Sequence, residues 1–254
     1  MLKVSVLGSG NLGTHMVNLL NDSSEVKLVQ WYSRSKIDDQ EIEVTNDITM
    51  LKNAEIYILC VSDDSISDLS NQLIFNNKLV VHTSGSTTYE SINRKNRRGV
   101  FYPLQSFSKT RKLNYSEIPV CIEAENDIDL NILIDLCNKI GCSFHKINFE
   151  QRKNLHLAAV ITNNFTNYLF SLSKEILSDQ NLNFDILKPL INETVDKIHK
   201  LDPSESQTGP ARRNDKNIID MQIKMLKDPD HQNLYKLISQ MIKRKYDNLS
   251  LIHI

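Results

Sequence analysis

The chain has 254 residues, of which 24% are charged and 40% are hydrophobic, and its formal net charge at pH 7 is −1. This balance is typical of a water-soluble globular protein with one large domain or two modest ones. It excludes an overall electrostatic attraction to nucleic acid or to an anionic membrane, and no apolar run approaches the roughly 18 residues that span a bilayer.

The first element is a short apolar run that leads into the pattern Gly-x-Gly-x-x-Gly and then into a helical pattern. Gly8 permits a tight strand-to-helix turn, Gly10 lets the backbone approach a pyrophosphate, and Gly13 lets the helix pack closely on the strand. The phosphates would lie at the positive end of the helix, near Asn11 and Leu12. The pattern predicts a dinucleotide site, and the alternative is a glycine-rich turn that binds nothing.

The end of the second predicted strand, residues 26–32, indicates which dinucleotide binds. An NAD site usually has an acidic residue about 20 residues beyond the glycines. Here Ser33, Arg34 and Ser35 follow the strand, and no acid appears until Asp38. A guanidinium flanked by hydroxyls can hold a 2′-phosphate, whereas a carboxylate repels it. The sequence therefore favours NADP(H), although Arg34 could also be an ordinary solvated cation.

The first part of the chain alternates apolar runs with helical patterns, and this predicts a doubly wound, mostly parallel Rossmann sheet of the α/β class over residues 1–149. The predicted strands are 2–7, 26–32, 56–61, 79–83, 99–101, 119–122 and 143–147. In such sheets, ligands bind outside the carboxyl ends of the strands. Val61 and Ser62 end one strand there and are assigned to the cofactor.

Ser84 follows the next strand in a segment with small side chains, and we expect it to lie near the nicotinamide. The alternative is a turn whose hydroxyls bond to their own backbone. His82, at the end of the same strand, could transfer a proton, but it is as often structural.

From about residue 150 the apolar spacing becomes helical, and residues 150–254 are predicted to form an all-helical domain for substrate binding and dimerisation. The predicted helices are a long one that starts near residue 150, and three at about 184–201, 214–227 and 231–247. Because these helices offer more apolar surface than one layer can bury, we expect a homodimer through them. A helical domain beside a nucleotide-binding domain usually closes over the substrate.

The long helix carries the candidate catalytic residues. His156 could protonate the oxygen or nitrogen that gains charge during hydride transfer, and Asn163 and Asn164 could orient the substrate. At 100° per residue, Asn163 points within about 20° of His156, and Asn164 about 80° away. The alternative is a histidine near a helix start with two amides that bond between helices.

Two further features bear on ligand binding. The segment 207–215 places the only late glycine and two arginines before a helix, which could hold an anion or could simply form a helix entry. The four cysteines have no Cys-x-x-Cys spacing and no histidine pattern, so we expect free thiols, no metal site and a cytoplasmic location. The start of the chain has no secretion-signal pattern.

Several of these segments together resemble a bacterial family of Rossmann-like proteins provisionally described as NADP oxidoreductases, with a helical carboxyl-terminal domain of unassigned function. The segments are the glycine pattern, 32–35, 82–86, 102–108, 156–164 and 208–215. The chain is more distantly similar to ketopantoate reductases, pyrroline-5-carboxylate reductases and hydroxyisobutyrate dehydrogenases. The resemblance implies a nicotinamide cleft between a Rossmann domain and a helical domain that often dimerises.

The chain departs from the hydroxyacid-type relatives at one place. Those relatives have a lysine on the first helix of the second domain, and His156 stands at that position, with the matching asparagine at Asn164. From the glycine pattern, Arg34 and the resemblance we predict an NADP-dependent reductase of a small carbonyl or imine acid bound between the two domains, while the missing lysine keeps an alternative open. The alternative is an NADP-binding sensor or assembly protein without turnover.

Overall fold

The computed structural model describes residues 1–35, 37 and 42–250, and for residues 248–250 it describes the backbone alone. The chain divides into two compact units, Met1–Thr166 and Asn167–Ile254. The change from strand to helix pattern near residue 150 thus precedes the division between the units. The predicted domain boundary at residues 149 and 150 stays a prediction, since fold type and packing partner need not change at the same residue.

The first unit is built on a sheet of eight strands among the described residues. The strands are β1 (Leu2–Leu7), β2 (Val26–Tyr32), β3 (Val44–Thr45), β4 (Ile56–Leu59), β5 (Leu79–His82), β6 (Arg97–Pro103), β7 (Val120–Ala124) and β8 (Phe144–Lys146). Their order is β3-β2-β1-β4-β5-β6-β7-β8, and only β6 and β7 run antiparallel. The predicted mostly parallel, doubly wound Rossmann sheet is confirmed.

The sheet is covered on both faces, which explains why its strands read as nearly continuous apolar runs. All four residues of β4 are buried, and it pairs in register with β1, Val4 opposite Ile56. Alternate residues of these strands enter two separate core clusters, with Ile58 in one and Tyr57 in the other. The strand order reverses between β1 and β4, so a crevice forms at their carboxyl ends.

The described helices of the first unit are α1 (Asn11–Asp22), α2 (Ile66–Gln72), α3 (Asp127–Lys139) and α4 (Phe149–Ala159). A π-helical segment, Val160–Phe165, follows α4 directly. The second unit contains α5 (Thr166–Ser178, its first residue in the first unit), α6 (Lys188–Ile198), α7 (Pro203–Ser206), α8 (Pro210–Arg213), α9 (Lys216–Met225) and α10 (Pro229–Ser250). No described helix combines the length and the apolar character needed to cross a bilayer.

The helical part differs from the sequence prediction in two places. The long helix predicted from residue 150 is interrupted by the π-helical segment, which a 3.6-residue period does not reveal. The third helix, predicted over about 214–227, is α9 with Asp215 as its N-cap residue, and it is preceded by the short helix α8, which Asn214 ends in the left-handed conformation with φ of 59°. Asparagine tolerates that conformation better than most residues do.

Candidate functional site

The glycine-rich loop at the carboxyl end of β1 is shaped by two close approaches of the backbone. Gly8 has a φ of +123°, and a Cβ there would lie 2.1 Å from the carbonyl oxygen of Cys60. A Cβ on Gly13 would lie 2.2 Å from the carbonyl oxygen of Gly8. The fold itself therefore requires glycine at both positions.

Gly10 differs from the other two glycines of the loop. A Cβ there would meet nothing within 4 Å, and its φ of −67° suits any residue. Gly10 caps α1 without a side-chain hydrogen bond, so the N–H groups of the first turn are available to an anion. The space beside Gly10 is therefore open to a ligand, and glycine is also well accepted at a helix N-cap.

Two predicted cofactor residues also hold the loop in place. The buried hydroxyl of Ser33 donates to Oγ of Ser9 at 2.7 Å, which ties the end of β2 to the loop. The side-chain amide of Asn11 donates to the carbonyl oxygen of Phe107 at 3.0 Å. These bonds fix the backbone that faces the crevice.

A cleft of about 530 Å³ opens beside the loop, and eight of the predicted cofactor residues line it. They are Gly8, Gly10, Asn11, Leu12, Arg34, Ser35, Val61 and Ser62. Gly13, Ser33 and Ser84 are not part of its lining. The crevice predicted from the strand ends is therefore present, and it brings the glycine loop and Arg34 to one site.

One wall of this cleft was missed by sequence reasoning. It is formed by Ser65, Asp68, Leu69 and Gln72, at and within α2. Their spacing of three, four and seven residues marks one face of a helix. This helical spacing is visible in the sequence, but the segment is short and polar, and such segments usually lie on the protein surface without binding a ligand.

Arg34 is exposed and has no hydrogen bond or ion pair with any described residue, so its guanidinium is available to a ligand. Asp38, the first acid after the strand, lies outside the described residues. Among the described residues that line the cleft, the one carboxylate is Asp68, on the α2 wall. The end of β2 thus offers a cation where an NAD site usually offers an acid.

A second cavity, of about 490 Å³, gathers the three predicted catalytic residues. Its lining comes from two places: the end of β6 with the loop that follows it, and the helix from α4 into the π-helical segment. The lining residues are Tyr102, Leu104, Gln105, Ser106, Leu155, His156, Ala158, Ala159, Val160, Thr162, Asn163 and Asn164. No lysine or arginine occurs among these described lining residues.

Asn163 and Asn164 lie within the π-helical segment. An i→i+5 turn holds one residue more than an α-helical turn, so residues beyond it are set back by up to about 100°. Regular spacing would turn Asn164 about 80° away from His156. With the wider turn, Asn163 and Asn164 both line the cavity that His156 lines.

His156 is held by Tyr102. The Tyr102 hydroxyl lies 2.9 Å from Nδ1 of His156, and the two rings meet edge to face with centroids 5.9 Å apart. Burial raises the pKa of Tyr102 to about 12, so the phenol keeps its proton at neutral pH. A Cβ on Gly85 would lie 2.7 Å from the His156 ring and 2.9 Å from Tyr102, so glycine is needed beside the pair.

Arg152, which sequence reasoning missed, anchors the helix that carries His156. It is fully buried, forms an ion pair with Glu123 on β7, and donates to the carbonyl oxygen of Thr87 at 2.6 Å. An arginine near a polar helix start reads as surface, because buried arginines are rare. The spacing of four residues from His156 puts both side chains on the same face of α4.

The Ser84 segment is a turn that bonds to itself. The Ser84 hydroxyl accepts hydrogen bonds from the N–H groups of Ser86 and Thr87, each at 3.0 Å, and the Ser84 N–H donates to Nδ1 of His82 at 3.1 Å. His82 is fully buried, and burial lowers its pKa to about 4. These bonds match the interpretation of Ser84 as part of a self-bonded turn and of His82 as a structural residue. The turn nevertheless follows β5 at the carboxyl edge of the sheet.

The arginines of the 207–215 segment are engaged within the second unit. Arg212 donates to the carbonyl oxygen of Gln207 and lies over the Tyr246 ring, 4.9 Å from its centroid. Arg213 pairs with Asp215 at 3.0 Å. This segment therefore forms a helix entry, as one of its two interpretations predicted.

The described part of the chain contains no cluster of His, Cys, Asp or Glu that could hold a metal ion. All four cysteines are free and buried, and burial raises the thiol pKa of each.

Residues 94–98 form a run rich in basic side chains. Two of its arginines form ion pairs, Arg97 with Asp129 and Arg98 with Glu125. These two charges of the run are therefore neutralised within the first unit.

Comparison with known proteins adds a family. The model of a domain of unknown function, DUF2520, matches residues 118–242. A Bacteroides fragilis protein provisionally named as an NADP oxidoreductase is 37% identical to this chain, with a TM-score of 0.86, and the match covers 96% of this chain and 98% of that protein. No curated protein matches the chain.

More distant solved structures share the fold. A Thermotoga maritima protein is 24% identical, with a TM-score of 0.74, and the match covers 97% of this chain and 99% of that one. The pyrroline carboxylate reductase of Plasmodium falciparum, solved with NADP bound, is 15% identical, with a TM-score of 0.57; the match covers 96% and 98% of the two chains. At these identities the likeness shows the Rossmann-like fold with a helical second part.

Proposed function

The chain belongs to the same Rossmann-like family as the Bacteroides fragilis protein, and we propose that it is an NADPH-dependent reductase of a small carbonyl or imine acid. One observation carries this proposal: the glycine loop, with the space beside Gly10 unfilled, opens on the same cleft as the available guanidinium of Arg34. A dinucleotide with a 2′-phosphate has the charges that this cleft complements.

The proposed cofactor contacts follow from the cleft. The pyrophosphate would bind the first turn of α1, at Gly10, Asn11 and Leu12, and the 2′-phosphate would bind Arg34 and Ser35. Val61 and Ser62, which follow the end of β4, also line the cleft. Supporting roles are assigned to Gly8, Gly13 and Ser33, which shape and hold the loop, and to Ser84, whose turn follows β5.

The proposed chemistry takes place in the cavity that His156 lines. When bound, NADPH supplies the hydride that adds to the carbonyl or imine carbon. Negative charge that develops on the substrate oxygen or nitrogen is neutralised by a proton from His156. The amides of Asn163 and Asn164 orient the substrate, and the Gln105 amide can bind its carboxylate, since no lysine or arginine lines the described cavity.

The first prediction concerns Arg34. Replacing Arg34 with alanine is expected to weaken NADPH binding about ten- to a hundredfold and to leave NADH binding nearly unchanged, because hydrogen bonds to charged groups contribute about 1.5–3 kcal/mol each. Titration with each nucleotide, followed by nicotinamide fluorescence, measures both affinities. Arg94→Ala is the control, since Arg94 is an exposed arginine outside the cleft lining. Absence of binding of either nucleotide to the wild-type protein would remove the reductase proposal.

The runner-up function is an NADP-binding sensor or assembly protein without turnover. It is favoured by one observation, the absence of lysine from the described lining of the His156 cavity. Mixing the protein with NADPH and a panel of small oxoacids and cyclic imines distinguishes the two proposed functions. Oxidation of NADPH supports the reductase, whereas tight binding with no oxidation supports the sensor.

We also propose that the protein is a homodimer through its carboxyl-terminal helices. Among the described residues of the second unit, the only buried hydrophobic side chain is Ala211. Many large apolar side chains there are exposed: Tyr168, Leu169, Ile176, Leu182, Ile186, Leu190, Val195, Ile198, Leu201, Ile218, Met221, Met225, Leu237 and Met241. A unit with so little core does not offset its conformational entropy, and a second copy of the same helices supplies the missing burial.

The second prediction tests this dimer. Sedimentation of the wild-type protein at micromolar concentration is expected to give twice the chain mass of 29.2 kDa. Leu190→Asp, at a side chain that is 63% exposed, is expected to give monomer or to lower the melting temperature strongly. Ile128→Asp is the matched control in the first unit, 73% exposed, and should leave the mass unchanged. A wild-type monomer at these concentrations contradicts the proposal.

The described cysteines are free thiols, which fits a reducing compartment, and on this basis we propose a cytoplasmic location.

A further inference from the structure

Two tyrosine–histidine pairs occur among the described residues of the first unit, and in the first of them both ring nitrogens of the histidine are hydrogen-bonded. The Tyr115 hydroxyl lies 2.8 Å from Nδ1 of His15, and Nε2 of His15 lies 2.9 Å from the carbonyl oxygen of Ser108. Because a carbonyl oxygen only accepts, Nε2 carries the proton and Nδ1 accepts from the tyrosine. His15 is buried with both ring nitrogens bonded. This pair fastens α1 to the loop after β6.

The second pair has the same bond between a tyrosine hydroxyl and Nδ1 of a histidine, but the other ring nitrogen of that histidine is not bonded to any described residue. The Tyr102 hydroxyl lies 2.9 Å from Nδ1 of His156, but Nε2 of His156 has no hydrogen-bond partner among the described residues. The ring atoms nearest to the missing Cβ of Gly85 are Cγ and Nδ1. The Nδ1 edge therefore faces the protein, and the Nε2 edge is left for the cavity that His156 lines.

We propose that Tyr102 is a positioning residue for His156, which keeps a proton on Nε2 and directs it to a carbonyl or imine substrate in the cavity. This inference rests on the reductase function proposed above. It gives the hydroxyl at the end of β6 a role in the reaction without contact to the reacting atoms.

The hydroxyl of a phenol can both donate and accept a hydrogen bond. When the imidazole is neutral, the hydroxyl of Tyr102 donates to Nδ1, and the single ring proton lies on Nε2. When the imidazole is charged, Nδ1–H donates to the phenol oxygen, and Nε2 is protonated as well. Nε2 of His156 is thus a donor in both charge states. A phenylalanine ring cannot enforce this, and the neutral imidazole would then distribute between its two tautomers.

The ionisable groups near the pair do not provide a second acceptor for the phenol. The pKa of Tyr102 is raised first by burial and then by Cys121, with a lowering effect from Arg152 and a smaller raising effect from Asp63. Arg152 is itself bound to Glu123. In the reverse arrangement, with neutral Nδ1–H donating to the phenol, the tyrosine proton would have no acceptor among the described residues, so the contacts of the pair favour a phenol that donates to Nδ1.

The third prediction compares Tyr102→Phe with the wild-type protein. Nuclear magnetic resonance of ¹⁵N-labelled histidine, at a pH where the ring is neutral, is expected to show only the Nε2–H form of His156 in the wild type. In Tyr102→Phe, the Nδ1 resonance should shift and an Nδ1–H population should appear. Tyr115→Phe is the matched control: it removes the same hydroxyl from His15, whose tautomer the carbonyl of Ser108 still fixes, and should leave the His156 signals unchanged.

A kinetic comparison then follows with any carbonyl or imine of the panel that the wild type reduces. The kcat ratio of wild type to Tyr102→Phe should be close to one at low pH, where the charged ring carries both protons, and rise to about twofold at high pH, where a neutral ring free to take either tautomer has its proton on Nε2 only about half of the time. A merely structural role would lower kcat equally at all pH values. An unchanged tautomer in Tyr102→Phe, or a ratio independent of pH, overturns the inference. If the wild type oxidises no NADPH, the reductase proposal fails and the resonance comparison alone decides the tautomer.

Discussion

Replacing Arg152 with methionine is expected to lower the free energy of unfolding of the protein by about 3–5 kcal/mol. This is the cost typical of removing one partner from a buried ion pair, because the other charge is left without compensation. Here that charge is Glu123, which also accepts a hydrogen bond from the N–H of Phe149 at the start of α4. The carbonyl of Thr87 loses its charged donor in the same variant.

The control for this variant stands one residue along the same helix. Lys153 forms an ion pair with Glu150, but both side chains are about half exposed or more, at 52% and 67%. Lys153→Met should therefore cost less than about 1 kcal/mol. Urea unfolding of both variants, followed by circular dichroism, gives the two values.

A second measurement separates the buried charge from the packing. The double variant Arg152→Met, Glu123→Leu removes both charges, and buried pairs replaced by apolar groups are often neutral in stability. We expect it to recover a large part of the loss. If Arg152→Met unfolds no more easily than Lys153→Met, then Arg152 does not anchor α4, and the position of His156 depends on other contacts.

The first unit was well predicted because its strands are buried on both faces. The observed β1 and β2 have the predicted bounds, and β4 and β5 differ from them only at their carboxyl ends. Runs of β-branched and other apolar residues leave little choice of structure in such positions. The two-residue strand β3 was missed, since a strand this short has no period to detect.

The glycine loop of the cofactor cleft was predictable from the sequence, because its backbone geometry allows only glycine at two positions. Gly8 and Gly13 are required by contacts of 2.1 and 2.2 Å that a Cβ would make, and such requirements leave a mark in the sequence. Ser84 shows the limit of this reasoning. A serine in a turn can serve a ligand or its own backbone with the same side chain, and here its hydroxyl bonds to two backbone N–H groups.

The catalytic candidates needed information that only the packed chain contains. The bond between Tyr102 and His156 joins residues 54 positions apart, and neither residue predicts the other. The π-helical segment is likewise invisible to a search for a 3.6-residue period, although it contains both asparagines that share the cavity with His156. Arg152 was hidden by composition, because a charged residue in a polar segment is usually exposed.

The other large effect is expected from Gly10, where stability and ligand binding should separate. Gly10→Ala is expected to change the free energy of unfolding by less than about 1 kcal/mol, since its φ of −67° is compatible with alanine and its Cβ would meet nothing within 4 Å. The same methyl group would occupy the space through which a pyrophosphate reaches the first turn of α1. We therefore expect NADPH to bind about ten- to a hundredfold more weakly, the equivalent of about 1–3 kcal/mol of overpacking.

Gly8→Ala is the contrasting variant in the same loop. Its Cβ would lie 2.1 Å from the carbonyl oxygen of Cys60, and its φ of +123° is unfavourable for alanine. Strain and overpacking together should cost about 2–5 kcal/mol of stability, so binding would be lost along with the fold. Thermal unfolding and NADPH titration of both variants test the assignment. If Gly10→Ala binds NADPH as tightly as the wild type, no ligand approaches the backbone at Gly10, and the glycine loop is not the pyrophosphate site.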